Sequence, residues 1–193
     1  MGIIVVIILL GAGLAWAGSS HGVRWQGSAV FGICVALAFI IQWLAFIPAW
    51  FFQTERFYDL TGSLTYLSTV AVALFLGGSG DFRAQLLAVL VAIWALRLGS
   101  FLFARISKDG KDGRFDTIKP HFARFLMVWT LQGLWVAVTV GAALAAISAN
   151  IVVAPDAFLW MGLLLWLLGF VIEVIADRQK QRFRNDPANH GVF

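Results

Sequence analysis

Six apolar stretches occupy most of the chain and restrict what it can fold into. They lie at 3–18, 29–52, 63–78, 86–104, 125–148 and 157–176. A membrane-spanning helix needs about 20 apolar residues, so the first and third stretches are short for a full crossing. The pattern predicts an all-α fold: a polytopic membrane helical bundle of about six transmembrane helices, in a single membrane domain that covers residues 1–193.

Composition agrees with this fold class and limits the partners. Hydrophobic residues make up 61% of the chain and charged residues 12%, whereas a soluble domain is about half apolar and a quarter charged. The net charge of +4 comes from basic residues that crowd the loops, and membrane orientation explains these residues better than nucleic-acid binding does. We therefore expect no nucleic-acid partner. Cys34 is the only cysteine, and the three histidines are far apart, so we expect no metal site.

The basic residues are divided unevenly between the loops, which predicts an orientation. If all six stretches span, one side carries only Arg24 and Arg83 outside the spans. The other side carries Arg56, then Arg105, Lys108, Lys111, Arg114, Lys119 and Arg124 in the loop 105–124, and Arg178, Lys180, Arg182 and Arg184 in the tail 177–193. The positive-inside rule therefore puts both termini, this loop and this tail in the cytoplasm.

The first stretch has one alternative interpretation as a signal peptide. Ala15-Trp16-Ala17 is typical of a small-residue cleavage site, but no Lys or Arg precedes the apolar run. We favour an uncleaved helix, and the sequence leaves the processing of residues 1–17 open.

The sixth stretch runs directly into four charged side chains. Glu173, Asp177, Lys180 and Arg184 fall within about 60° of one another on a helix. An acidic residue in an apolar helix is costly in lipid. Arg184 and Lys180 suit phosphate oxygens, and Asp177 suits a ribose hydroxyl, which predicts a polar ligand site. The alternative is a salt-bridged helix end, and the residues alone do not choose between the two.

Charged residues elsewhere in the apolar stretches also need partners. Arg97 lies inside the fourth stretch, and its candidate partners are Glu173, Asp59 or an anionic ligand. Glu55 and Asp59 follow the second stretch, where they either cap the next helix or enter a site.

Two further polar features carry competing interpretations. The loop 105–119 is either a flexible phosphate-binding lid or a basic loop that sets topology and meets anionic lipid; the second interpretation is favoured. Gln42 and Gln132 lie within spans, and we expect interhelical hydrogen bonds there more than ligand contacts.

Five segments give the chain a family resemblance. They are FYDLTGS (57–63), LRLGSFLFARI (96–106), DGRFDTIKPHFARF (112–125), LQGLW (131–135) and GFVIEVIADRQKQRFRNDP (169–187). In order and spacing they resemble the bacterial DUF1295 group of the steroid 5-alpha-reductase-like membrane proteins. The resemblance implies a protein of the bacterial inner membrane with an NADPH pocket facing the cytoplasm. It also implies hydride transfer to an activated carbon–carbon double bond of a hydrophobic, lipid or steroid-like substrate.

The resemblance also implies roles for individual residues. Asp177 and Arg184 match positions that contact the cofactor in the steroid reductases, whereas Glu173 stands where those enzymes have an asparagine. The expected cofactor-binding residues are Asp177, Arg184, Lys180, Arg105 and Arg114. The pocket candidates are Asp59, Arg97 and Glu173.

Three departures from the family pattern limit the functional prediction. Thr54 follows Gln53 where the steroid reductases have a glutamate, with Glu55 one place later, and Trp94 aligns with their catalytic tyrosine. The catalytic residues are therefore unassigned. Family members also continue into a further C-terminal motif, so the resemblance implies that the C-terminal end is missing.

The alternatives to a reductase come from two other classes. One is an S-adenosylmethionine-dependent membrane methyltransferase of the isoprenylcysteine carboxyl methyltransferase type. The other is a non-catalytic, truncated membrane protein. The expected partners are membrane lipids and a hydrophobic small-molecule or lipid substrate, and the sequence predicts no oligomeric state.

Overall fold

The computed structural model describes residues 1–78, 80–149 and 151–189, and within them the predicted all-α fold is confirmed. The helices are α1 (Gly2–Gly18), α2 (Val30–Phe51), α3 (Tyr58–Gly77), α4 (Phe82–Asp109), α5 (Phe122–Ser148) and α6 (Ala157–Asn185). A two-stranded antiparallel hairpin joins α1 to α2, with β1 at Arg24–Trp25 and β2 at Ser28–Ala29. Short 3-10 helices lie at Gly113–Phe115 and Pro187–Asn189.

Five of these helices, α2 to α6, are long and apolar enough to cross a membrane. The chain is therefore an integral membrane protein. Helix α1 is apolar but has only 17 residues. The chain forms two compact units, Met1–Val153 and Ala154–Phe193, so that α1 to α5 belong to the first unit and α6 to the second.

In the first unit, α3 packs against three other helices. It contacts α2, α4 and α5, and its buried positions follow a helical period through Gly62, Tyr66, Val70 and Ala73. Small residues allow backbones to approach closely in a membrane bundle. An added Cβ at Gly99 of α4 would lie 2.6 Å from the Ser63 hydroxyl oxygen, so only glycine fits at this crossing.

Polar side chains inside the bundle form hydrogen bonds with other groups of the bundle. Thr65 and Thr69 donate to the carbonyl oxygens one turn earlier, at 2.7 and 3.0 Å, which satisfies their hydroxyls inside α3. Gln42 of α2 donates from Nε2 to the Thr65 hydroxyl oxygen at 2.9 Å. The expected interhelical hydrogen bond of Gln42 is therefore present.

The alternating direction of the helices gathers the charged loops at one end of the first unit. We call it the charged end: it comprises the end of α2, residues 52–57, the start of α3, the end of α4, residues 110–121 and the start of α5. The opposite end carries the hairpin, where the Val23 N–H donates to the Ser148 carbonyl oxygen at 2.7 Å.

Several helices extend beyond the apolar stretches that predicted them. Helix α4 runs through Arg105 to Asp109, and Gly110 ends it with a positive φ of 79° and an N–H bonded to the Ile106 carbonyl oxygen at 2.9 Å. Helix α6 continues to Asn185 because Lys, Arg and Gln are good helix formers in water. Hydropathy marks the apolar part of a helix, not its end.

Candidate functional site

A cavity of about 320 Å³ lies in the first unit, and Tyr58 and Asp59 of its lining are at the charged end. Its lining comes from three helices: Tyr58, Asp59, Gly62, Ser63 and Tyr66 of α3, Leu98 and Leu102 of α4, and Leu131, Gln132, Trp135 and Val136 of α5. Most of this lining is apolar or aromatic, with a few polar groups among it. Small-molecule sites commonly have this composition and a volume in this range.

The spacing of residues along α3 explains how one helix lines the cavity over two turns. Tyr58, Gly62 and Tyr66 recur every four residues and therefore share a face. Gly62 lets α5 approach at this point, because an added Cβ would lie 2.3 Å from Nε2 of Gln132. Because Gly62 has no side chain, the Gln132 amide packs directly against the backbone of α3 beside the cavity.

Gln132 joins α5 to the start of α3. Its Nε2 donates to the Tyr58 carbonyl oxygen at 3.1 Å, and the Tyr58 hydroxyl donates to the Val128 carbonyl oxygen at 3.1 Å. The interhelical hydrogen bond expected of Gln132 is therefore present. The same residue lines the cavity, and within the described structure its buried Oε1 has no hydrogen-bond partner.

Asp59 lies in the cavity lining and is paired with Arg105 of α4. The distance from Arg105 Nη2 to Asp59 Oδ2 is 3.4 Å, and each side chain is 28% exposed. The pair brings a predicted pocket residue and a predicted cofactor residue together at the charged end. Its length and exposure make it a weak ion pair.

Arg97 of α4, also a predicted pocket residue, lies in a different environment. It is half-buried, and its guanidinium carbon lies 5.4 Å from the ring centroid of Phe101, one turn along the helix. A cation over an aromatic face gains electrostatic attraction. Arg97 is not among the described residues that line the cavity.

Glu55 holds the loop between α4 and α5 against the charged end. Its nearly fully buried carboxylate accepts hydrogen bonds from Lys119 Nζ at 2.6 Å and from the Asp112 N–H at 2.9 Å. Phe115 is also buried, with its ring edge-on to that of Tyr58 at 5.2 Å. A lid that moved as a whole would have to break the buried Glu55–Lys119 pair.

The cations of this loop are paired with neighbouring carboxylates. The backbone N–H and Nε of Arg114 each donate to Asp112 Oδ1 at 3.0 Å, and these bonds, with a smaller contribution from Arg105, lower the pKa of Asp112. Lys111 bonds Asp116 at 2.8 Å and thereby lowers the pKa of that carboxyl. An anionic ligand would have to share or replace these carboxylate partners.

The remaining predicted residues lie on α6. This helix is continuous from Ala157 to Asn185, so the residues of the predicted polar face share one side over about 17 Å. Glu173 and Asp177 are half-buried, and Lys180 and Arg184 are exposed. Residues 190–193 of the predicted tail, including His190, lie outside the described residues.

Sequence reasoning missed most of the cavity. Tyr58, Ser63, Tyr66 and Trp135 line it but were not predicted. The four-residue repeat of Tyr58, Gly62 and Tyr66 is a signal that could have marked one face of α3. Glu55 carried no local signal for its role, because its partners lie 57 and 64 residues away in the chain.

Comparison with known proteins agrees with the resemblance seen in the sequence. The model of one protein family, described as "Protein of unknown function (DUF1295)", matches residues 45–193. This range includes every residue of the cavity lining and the charged face of α6. No curated protein matches the chain, and no solved structure matches it.

Proposed function

The chain belongs to the DUF1295 family, and we propose that it is a membrane-embedded, NADPH-dependent reductase of an activated carbon–carbon double bond in a hydrophobic substrate. The observation that carries the proposal is the largely apolar cavity at the charged end, with the Asp59–Arg105 pair in its margin. An apolar chamber next to guanidinium groups suits a hydrophobic substrate and a phosphate-bearing cofactor together.

The lining supports a hydrophobic substrate. Leu98, Leu102 and Leu131 contribute aliphatic surface, and Tyr66 and Trp135 contribute aromatic rings. Burial of apolar ligand surface against such groups stabilises a complex by about 25 cal/mol per Å² before the costs of association. A polar metabolite would forgo this contribution and leave the lining without complementary partners.

The donor groups near the cavity fit a phosphate-bearing cofactor. Arg105 is held by a weak ion pair with Asp59, and the exposed guanidinium of Arg114 is held by Asp112. Arginine binds phosphate oxygens through paired N–H groups, and in this proposal phosphate oxygens replace the carboxylate partners when the cofactor binds. In this proposal Asp59 and Asp112 orient the two guanidiniums before the cofactor binds.

When bound, NADPH supplies a hydride. The proposed work of the protein is to hold the phosphates, to keep the substrate in an apolar chamber and to exclude water from it. Glu55 and Lys119 hold the loop that carries Arg114 in place.

We also propose the charged face of α6 as part of cofactor binding. The family resemblance supports Asp177 and Arg184 in this role, with Lys180 on the same face, and the continuity of α6 keeps the three on one side. Glu173 and Arg97 remain predictions as pocket residues.

The proposed location is the bacterial inner membrane, with the charged end in the cytoplasm. The support is the positive-inside rule together with the fold of the first unit. The contact of Glu55 with Lys119 brings residues 52–57 and the basic loop to the same end.

The test is a pair of calorimetric titrations of the purified, detergent-solubilised chain, one with NADPH and one with S-adenosylmethionine. The proposal expects saturable binding of NADPH and none of S-adenosylmethionine. Binding of S-adenosylmethionine alone would favour a methyltransferase of the isoprenylcysteine carboxyl methyltransferase type. Binding of neither would contradict the cofactor proposal and favour a non-catalytic protein.

A further inference from the structure

Gln132 is a polar residue of the cavity lining, and the orientation of its amide follows from its neighbours. Nε2 and Oε1 of a glutamine are distinguished by their hydrogen-bond partners. Here the partner is the Tyr58 carbonyl oxygen, 3.1 Å away, and a carbonyl oxygen only accepts. The reverse orientation would bring two carbonyl oxygens together, so the NH₂ group must face Tyr58 and the acceptor oxygen must face away from it.

The acceptor oxygen left by this orientation is unsatisfied. Oε1 of Gln132 is buried and has no hydrogen-bond partner within the described structure. A buried acceptor without a partner has lost its hydrogen bonds to water without a replacement, so a ligand that donates to it gains stability. Rotation of the amide is restricted, because Gly62 packs so closely that an added Cβ would lie 2.3 Å from Nε2.

Gln42 offers a comparison with Gln132, because both glutamines have a buried acceptor oxygen and differ in whether they line the cavity. Gln42 also donates from Nε2, to the Thr65 hydroxyl oxygen at 2.9 Å, and its buried Oε1 likewise has no partner within the described structure. Gln42 lies in the core and is not part of the cavity lining. Among the described residues, both glutamines therefore hold a buried acceptor without a partner, and Gln132 is the one of the two that belongs to the lining of this cavity.

The margin of the cavity indicates how a ligand reaches this position. Leu98 and Leu102 of α4 and Leu131 and Trp135 of α5 belong to the lining, and both helices pack on α3. Leu131 and Trp135 are 45% and 67% exposed. Exposed apolar side chains on a membrane helix suit contact with lipid tails, so within the first unit the side of the cavity between α4 and α5 is the one suited to a ligand from the bilayer.

We propose that the cavity takes an amphiphile from the bilayer through the gap between α4 and α5, and that a hydroxyl or amide N–H of this amphiphile donates a hydrogen bond to Gln132 Oε1. The apolar body lies against Leu98, Leu102 and Trp135. This inference rests on the proposed function in taking the cavity as the substrate site, and it adds a hydrogen-bond donor to the substrate. A ligand that only accepts, such as an ether, leaves Oε1 unsatisfied.

The test compares dodecanol with dodecyl methyl ether, which share the alkyl chain but differ in the donor. Each probe is added, without nucleotide, to the detergent-solubilised full chain. The two probes are compared at equal concentration in the micelles, and Tm is followed by tryptophan fluorescence. A ligand that binds the folded state raises Tm. We expect dodecanol to raise Tm about 2–4 °C more than the ether does, which is the shift that about 1 kcal/mol gives in a chain of this size.

Two variants identify the residue responsible. Gln132→Met keeps a side chain of similar size but removes the acceptor, and should abolish the preference for dodecanol. Gln42→Met removes the matched acceptor in the core and should retain the preference. Equal Tm shifts for the two probes in the wild type, or a preference that survives in Gln132→Met, would overturn the proposal.

The outcomes separate this inference from the proposed function. If Gln132→Met does not fold, the comparison of the two probes on the wild type decides. A preference for dodecanol in a chain that fails to bind NADPH would support the Gln132 contact and refute the reductase. NADPH binding without the preference for dodecanol would support the reductase and refute the Gln132 contact.

Discussion

Lys119 and Glu55 form an ion pair at the charged end, with 2.6 Å between Nζ and Oε2. The Glu55 carboxyl side chain is only 2% exposed, and its second oxygen accepts the Asp112 N–H at 2.9 Å. Both carboxylate oxygens are therefore satisfied, which offsets the cost of removing the charge from water. The pair fixes the end of α2 to the loop that carries Arg114.

Removal of one partner should destabilise the first unit strongly. Glu55→Ala removes the nearer carboxylate partner of the half-buried Lys119, which keeps a 3.9 Å contact to Asp116, and leaves the Asp112 N–H without its acceptor. We expect the free energy of unfolding to fall by about 2–3 kcal/mol, measured by denaturant titration in micelles. Lys111→Met is the matched control, because the Lys111–Asp116 pair is exposed to solvent and its loss should change stability little. Equal effects of the two variants would mean that Glu55 does not hold the loop.

A methyl group at Gly99 should disturb the crossing of α3 and α4. The added Cβ would meet Oγ and Cβ of Ser63 at 2.6 and 2.7 Å, so the helices must separate, at a cost of about 1–3 kcal/mol. Gly141→Ala is the control, because an added Cβ at that position of α5 has no atom within 4 Å. Thermal unfolding in detergent should show a lower Tm for Gly99→Ala and an unchanged or higher Tm for Gly141→Ala, and a harmless Gly99→Ala would contradict this packing.

The contribution of Asp112 to stability should depend on pH. Arg114 donates hydrogen bonds to Asp112 and so lowers the pKa of this carboxyl in the folded protein. The stabilisation is therefore complete above about pH 3.9, the usual pKa of an aspartate, and is lost as the pH falls through the lowered value. The Tm difference between wild type and Asp112→Asn should be constant from pH 7 to 5, correspond to at most about 1 kcal/mol, and shrink in stronger acid. A difference that grows on acidification would contradict the pairing.

The proposed orientation predicts which loops are reached from each side of the membrane. Cys34 is the only cysteine and is buried, so Cys34→Ala gives a background for single cysteines at Ser20→Cys and Lys111→Cys. These exposed positions lie at opposite ends of the first unit. In right-side-out vesicles, an impermeant maleimide should label Ser20→Cys directly and Lys111→Cys only after permeabilisation. The opposite pattern would reverse the orientation.

The parts of the fold that depend on local sequence could be predicted. The number of apolar helices follows from hydropathy, and the shared face of Asp177 and Arg184 needs only helical spacing within α6. The interhelical bonds of Gln42 and Gln132 were also expected, because a polar side chain in a membrane helix seeks a partner on a neighbouring helix.

The cavity and its charged margin could not be predicted in the same way. The partner of Asp59 depends on the register of α3 against α4, which the close approach of Ser63 to Gly99 sets. Asp59 lies one turn before Ser63, so in this antiparallel pair it meets the region one turn or more beyond Gly99, where Arg105 lies. Hydropathy carries no information about that register, and it gives no sign that Glu55 contacts Lys119.

The measurement that tests the central claim most directly is a calorimetric NADPH titration of wild type, Arg105→Ala, Arg184→Ala and Arg182→Ala. Arg182 lies on the opposite side of α6 from Glu173 by helical spacing, so its variant controls for the loss of a cation from the same helix. We predict saturable binding that is weakened about tenfold or more in Arg105→Ala and Arg184→Ala, as expected when a charge-assisted hydrogen bond of about 1.5–3 kcal/mol is lost, and is unchanged in Arg182→Ala. Absence of NADPH binding to the wild type, or equal weakening in all three variants, would contradict the account.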